Sequence, residues 1–151
     1  MNLNEAKHYL GGVALKLAEL EQIIHIKGEI DSLARRIEDA RKPEYVSDYA
    51  KDYSTGYERV ISVSGYASPD YEKVGRLTAQ RLKRKEELEA LVLAAEDFIS
   101  SIPDGKTRTL LSLRYLEGME WNDVAKRIYK KMTGDAARKS VARFFGGESE
   151  V

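Results

Sequence analysis

Apolar residues recur at heptad spacing through the first part of the chain. They are Leu3, Ala6, Leu10, Val13, Leu17, Leu20 and Ile24, followed with a one-residue slip by Ile23, Ile26, Ile30, Leu33, Ile37 and Ala40. This spacing predicts one long helix with a narrow apolar seam from Leu3 to about Arg41. Pro43 ends it, because the residue before a proline is steered away from helical geometry.

A second apolar seam begins after Pro69 and extends to about Ser101. Its members are Val74, Leu77, Leu88, Leu91, Ala95, Phe98 and Ile102. Arg81 and Arg84 interrupt it, although their aliphatic stems can cover apolar surface while the charged ends reach water. Residues 1–102 are therefore predicted to form an antiparallel, coiled-coil-like helical hairpin. Apolar seam left uncovered would favour homo-oligomers through the long helices.

The connection between these helices, about residues 43–70, is rich in tyrosine. Tyr45, Tyr49, Tyr53 and Tyr57 recur every four residues, with Tyr66 and Tyr71 beyond them. This spacing is compatible with one face of a short helix or with a loosely ordered loop, and "RVISV" is equally compatible with a short extended piece. A base-stacking platform is less favoured, because such grooves are basic and this segment is not.

Three short helical patterns follow Pro103. Residues 106–116, "KTRTLLSLRYL", end in a turn at Gly118, and "EWNDVAKRI" then carries Trp121, Val124, Ala125 and Ile128 on one side. Thr133 is a good N-cap for the last helix, whose inner stripe is Ala137, Val141, Phe144 and Phe145. The whole pattern predicts an all-α fold, with the helical hairpin followed by a carboxyl-terminal helix-turn-helix over residues 103–146.

The opposite side of the last predicted helix is slim and basic. At about 100° per residue it presents Asp135, Ala136, Lys139, Ala142 and Arg143, with Arg138 on its flank. A helix-turn-helix requires this division, because one stripe fixes the second helix on its scaffold and the other must enter a major groove about 12 Å wide. Trp121 is predicted to belong to the core.

The charge distribution supports a polyanionic partner. The chain has 151 residues, the size of one domain, and no net charge, but residues 105–145 hold ten basic and four acidic side chains. Local potential within about 10 Å governs phosphate binding, so overall neutrality does not argue against it.

Several functional classes are disfavoured by composition. There is no cysteine, and neither a basic, apolar leader nor a run of about 18 apolar residues occurs. We therefore expect a cytoplasmic protein without membrane contact. His8 and His25 are too far apart for a one-turn ligand pair, and no HExxH motif or phosphate-cradling glycine loop is present. No enzyme activity, metal or cofactor is predicted.

The segment "IPDGKTRTLLSLRYLEGMEWNDVAKRI" resembles the fourth region of bacterial sigma factors, especially as it occurs in ArpU-like late transcription regulators of phages. The resemblance covers about residues 102–145. It implies duplex DNA binding and transcriptional control, with RNA polymerase as a candidate partner. By position, Thr133 caps the recognition helix, Arg138, Lys139 and Arg143 contact DNA, and Ala125 and Val141 pack. The turn before Thr133 is longer than the family pattern and lacks its usual glycine.

The residue types suggest separate roles at such an interface. Lys130, Lys131 and Thr133 are placed to hold phosphates at a helix N-terminus. Arg138, Lys139 and Arg143 are suited to guanine edges or phosphates, whereas Asp135 would accept from cytosine or cap its own helix.

Two alternatives from other classes remain open at this point. One is a small-terminase-type DNA packaging subunit, which joins a helix-turn-helix to an oligomerising helical segment. The other is a protein-binding helical module that contacts RNA polymerase, in which Lys139 and Arg143 would be dispensable for any DNA affinity.

Overall fold

The computed structural model describes residues 15–43 and 45–146, and their fold is mostly helical. The elements are α1 (Leu17–Arg41), β1 (Tyr45–Asp52), β2 (Arg59–Tyr66), α2 (Tyr71–Ser101), α3 (Gly105–Leu111, extended by a π-helical turn over Ser112–Leu116), α4 (Trp121–Ile128) and α5 (Gly134–Phe144). The predicted seam positions before residue 15, and His8, lie outside the described residues.

The tyrosine-rich connection is a β-hairpin rather than a helix or loop. β1 and β2 pair antiparallel over eight residue pairs, from Tyr45 opposite Tyr66 to Asp52 opposite Arg59. Gly56 has a positive φ of 85° in the turn, and the Asp52 side chain accepts a hydrogen bond from the Ser54 amide at 2.9 Å. The extended alternative for "RVISV" is therefore correct, and the all-α prediction is wrong for this hairpin.

The described chain forms two compact units, residues 15–29 with 84–146 and residues 30–83. In the second unit α1 and α2 pack through Leu33, Ile37 and Leu77, with Val74 partly buried against them. In the first unit Glu29 of α1 pairs with Arg84 of α2 at 2.9 Å. The predicted seam is thus the buried side of both helices.

The first unit has one core that joins both long helices to the three short ones. Its buried members include Leu20 and Ile23 of α1, Ala95, Phe98 and Ile99 of α2, Ile102, and Leu110, Leu111, Leu113, Tyr115, Val124, Ala125, Ala137, Val141 and Phe144. The two compact units do not meet at the predicted domain boundary after residue 102, because the short helices share their core with α1 and α2.

The π-helical turn after α3 attaches this part of the chain to α1. The Glu117 amide donates to the Ser112 carbonyl, five residues earlier, at 2.9 Å. Tyr115 is fully buried, and its hydroxyl donates to Glu21 Oε1 of α1 at 2.7 Å. Burial first, and the adjacent Glu21 carboxylate second, raise the pKa of Tyr115 above its ordinary value. Lys27 Nζ also donates to the Leu116 carbonyl at 3.3 Å.

The ends of α3 follow from local sequence signals. Asp104 is the N-cap, and its carboxylate accepts from the Thr107 amide at 3.1 Å and from the Thr107 hydroxyl at 2.5 Å. These hydrogen bonds, led by the one from the hydroxyl, lower the pKa of Asp104. At the other end Gly118 adopts a positive φ of 75°, as the sequence predicts for a turn glycine.

Candidate nucleic-acid interface

α4 and α5 are short helices fixed by their inner faces. α4 buries Val124 and Ala125 completely, and α5 buries Ala137, Val141 and Phe144. The Phe144 ring meets Phe145 edge to face at 5.0 Å between centroids. The predicted inner stripe of α5 is therefore buried, except that Phe145 is half-buried.

Gly134 allows the start of α5 to approach the start of α4. A Cβ on Gly134 would overlap the Asn122 side chain and lie 2.8 Å from the Asn122 backbone nitrogen and 3.0 Å from the Trp121 carbonyl carbon. These are backbone atoms, which cannot move aside to make room for a Cβ as the end of a flexible side chain could. A glycine is therefore required one residue after the cap, where the two helices come into close contact.

The turn between α4 and α5 comprises residues 129–133. The Met132 amide donates to the Tyr129 carbonyl at 3.0 Å, and Thr133 Oγ1 accepts from the Ala136 amide at 3.1 Å as the N-cap of α5. Lys130 and Lys131 are exposed in this turn. The predicted cap is correct: the Thr133 oxygen accepts from the helix, and the hydroxyl keeps its own O–H donor.

Asp135 organises the basic residues on the first turns of α5. Its carboxylate binds Arg138 at 2.8 Å and Lys139 at 3.0 Å, and all three side chains are exposed. The hydrogen bonds from Arg138 and then Lys139 lower the pKa of Asp135. Exposed ion pairs of this kind contribute little to stability, so the two cations can exchange the carboxylate for another acceptor at little cost.

The remaining predicted cations have no carboxylate partner among the residues that the structure describes. Arg143 is exposed on α5 four positions after Lys139, on the same side of the helix. Lys130 and Lys131 precede the same helix. The structure thus brings Lys139 and Arg143 onto one face and leaves the two lysines in the adjoining turn.

Two other arginines of the basic region serve the fold instead. Arg108 donates to the carbonyls of Ile102 at 2.6 Å and Pro103 at 3.0 Å. Arg114 donates to the Met119 carbonyl at 3.0 Å and lies over the Trp121 ring at 5.1 Å from its centroid. The excess of basic side chains over residues 105–145 therefore overstates the charge that faces solvent.

Lys126 and Arg127 extend the exposed basic surface beyond the predicted set. Both lie in the last turn of α4 and are exposed, directly before the turn that carries Lys130 and Lys131. Lys126 lies on the side of α4 opposite the buried Val124 and Ala125, and Arg127 lies on its flank. Trp121, by contrast, is half-buried against Tyr115, with ring centroids 6.3 Å apart.

Across residues 15–43 and 45–146, no group of three His, Cys, Asp or Glu side chains is arranged to hold a metal ion. In the same residues, none of the helices combines the length and apolar character that crossing a lipid bilayer requires. No known protein family, curated protein or solved structure matches this chain.

Proposed function

We propose that α3, α4 and α5 form a sigma-region-4-like helix-turn-helix that binds duplex DNA in a sequence-specific manner. On this proposal the chain is a non-catalytic transcriptional regulator of phage or prophage genes. α4 is the helix that crosses the sugar-phosphate backbone, and α5 is the recognition helix. RNA polymerase is a candidate second partner.

The observation that carries this proposal is the division between the two faces of α5. Ala137, Val141 and Phe144 pack the helix against the core, so the side chains on its outward face are not needed for this packing. That face carries Arg138, Lys139 and Arg143 between small residues, with no large apolar side chain. A helix of this kind can enter the major groove, where arginine and lysine donate to guanine O6 and N7.

The surrounding surface supports separate positioning and reading groups. Lys126, Arg127, Lys130 and Lys131 are exposed at the end of α4 and in the turn, where they would hold phosphates. Lys139 and Arg143 lie on the groove-facing side and would contact bases. Asp135 would limit non-specific binding, because a carboxylate is repelled by phosphates and among bases accepts chiefly from cytosine N4.

The first experiment is selection of random duplex DNA by the full-length protein at near-physiological salt. We expect a recovered sequence motif. Lys139→Ala with Arg143→Ala should then weaken binding to that motif by about 1 to 3 kcal/mol for each lost base contact. The matched control is Arg76→Ala with Lys85→Ala, which removes the same charges from exposed positions on α2 and should retain the motif.

A second pair of substitutions separates positioning from reading. Lys130→Ala with Lys131→Ala should weaken motif and scrambled duplexes alike and reduce the salt dependence by about one unit of slope for each lost phosphate contact. If both pairs have the same effect on both duplexes, the assignment of roles is wrong. If the wild-type protein retains no duplex, the proposed DNA binding is refuted.

A further inference from the structure

The β1–β2 hairpin has matched charges. Lys51 pairs with Glu58 at 2.8 Å, and Arg59 pairs with Asp52 at 2.8 Å, so the charged residues near its turn compensate each other. The surface therefore has no excess positive charge that would attract a nucleic acid. The groups that this surface offers to a partner are apolar side chains and backbone hydrogen-bonding groups.

Apolar side chains of β2 are nevertheless open to solvent. Val60 is 63% exposed, Ile61 37% and Val63 51%, with Ile61 and Val63 on one side of the strand and Val60 on the other. A two-stranded hairpin alone is only marginally stable in water, and a third strand or a packed helix is normally needed. Clustered apolar residues on a protein surface are a feature of interaction sites, whereas singly scattered ones are ordinary.

The outer edge of β2 lacks the features that protect natural edge strands. From Val60 to Gly65 the strand reads Val, Ile, Ser, Val, Ser, Gly, without a charge or proline, and its pairing with β1 is continuous, without a bulge. In the part of the chain that the structure describes, β1 is the only strand paired with it. Such an edge offers free backbone donors and acceptors to another strand.

We propose that β2 pairs with β2 of a second copy of this chain, antiparallel about a two-fold axis at Ser62. The result is a four-stranded sheet in the order β1, β2, β2, β1. In this register Ile61 lies opposite Val63 of the second copy, and Val63 opposite Ile61. The one charged residue of β2, Arg59, lies opposite Gly65, so no like charges meet.

The sequence of β2 favours a second copy over an unrelated strand. Ile61 and Val63 lie symmetrically about Ser62, so they face each other when the strand is reversed, which is the condition for an isologous interface. Val60 lies opposite Ser64 in this register. The interface would also cover Ile61 and Val63 and supply the additional strands that the hairpin lacks. This proposal is independent of DNA binding, and it places self-association in the hairpin rather than in the long helices.

The test is the mass of the full-length protein in solution, measured by light scattering and sedimentation over a series of concentrations. We expect a dimer of twice the 17.1 kDa chain mass. Ser62→Lys sets two like charges face to face at the axis and should weaken dimerisation at least about tenfold. The matched control is Ser47→Lys on β1, an exposed serine on the same sheet face, which should leave the dimer intact.

A charge-swap experiment tests the position of the axis. Ser62→Lys and Ser62→Glu should each weaken the dimer, and an equal mixture of the two should restore it as a heterodimer. The circular dichroism of each variant verifies that the helices are retained. A monomeric wild-type chain overturns the proposal, as does an assembly that Ser62→Lys leaves intact, equal dissociation by Ser47→Lys, or a mixture that remains dissociated.

Discussion

α5 and the β1–β2 hairpin both present residues to solvent, but they are held in place in different ways. α5 has a fully apolar inner stripe, and the core of its unit covers that stripe. In the hairpin, Val60, Ile61 and Val63 are exposed although they are the strand's most apolar residues. The exposed residues of α5 are mostly charged, whereas those of β2 from Val60 to Ser64 are neutral.

This difference indicates what each surface can bind. A helix whose fold is already secured can use charged groups on its other face for a ligand, because their loss costs little stability. A hairpin without cover gains stability when a partner buries its apolar residues. On the two proposals, the first arrangement would serve a polyanion and the second would serve another strand.

Removing the same two methyl groups from each region gives the largest expected contrast in stability. Val141 is 1% exposed, so Val141→Ala should lower the free energy of unfolding by about 2 to 3 kcal/mol through lost burial and a cavity. Val63→Ala should change it by less than about 0.5 kcal/mol in dilute solution. Urea unfolding followed by the helical circular dichroism signal measures both values.

Equal effects would show that the hairpin is covered in the monomer, or that α5 is less well packed than its burial indicates. A loss at Val63 that grows with protein concentration would instead agree with the dimer, because burial of that residue would then depend on a second copy.

Local sequence patterns predicted α5 and its cap because the relevant contacts join residues that are close together in the sequence. The apolar spacing of Ala137, Val141 and Phe144 identified the buried side, and Thr133 identified the start of the helix. The pairing of Asp135 with Arg138 and Lys139 also follows from three- and four-residue spacing. That pairing was not predicted, although the sequence contained the signal.

The sequence of the hairpin was compatible with both a helix and a strand for a physical reason. A spacing of four residues puts Tyr45 and Tyr49 on one side of a helix, but four is even, so it also puts them on one side of a strand. The β-branched residues of β2 were the better indicator.

Contacts between distant parts of the chain could not be read from spacing at all. The Tyr115 hydroxyl donates to Glu21 of α1, and Lys27 of α1 donates to the Leu116 carbonyl. The sequence therefore could not show that the short helices share a core with α1.

Glycine substitutions in α5 and in the hairpin are expected to differ in the same direction, with smaller changes in stability. Gly134→Ala should destabilise the protein by about 1 to 2 kcal/mol, because its Cβ would collide with the backbone of Trp121 and Asn122. Gly65→Ala in β2 meets nothing within 4 Å and should be neutral or stabilise the strand by up to about 1 kcal/mol. Thermal unfolding of both variants measures these changes in stability. A neutral Gly134→Ala would show that α4 and α5 are not in close contact.

The smallest expected effect concerns two aspartates that receive local hydrogen bonds, Asp104 at the start of α3 and Asp52 in the hairpin turn. Both have a lowered pKa, Asp104 through the Thr107 hydroxyl and Asp52 chiefly through the Ser54 amide. Only Asp104 caps a helix of the shared core, so Asp104→Ala should cost about 1 kcal/mol at neutral pH. Asp52→Ala should leave the unfolding of the helices unchanged.

The pH dependence distinguishes a charged cap from a packing effect. Because the pKa of Asp104 is lowered on folding, its contribution is complete above its ordinary value of 3.8 and is lost as pH falls through the folded-state pKa. The difference in unfolding free energy between wild type and Asp104→Ala should therefore shrink in acid, whereas that for Val141→Ala should persist. A difference for Asp104→Ala that is constant from neutral pH into this acid range would mean that the carboxylate charge does not contribute to the cap, and that α3 is held at Asp104 by packing, as α5 is at Val141.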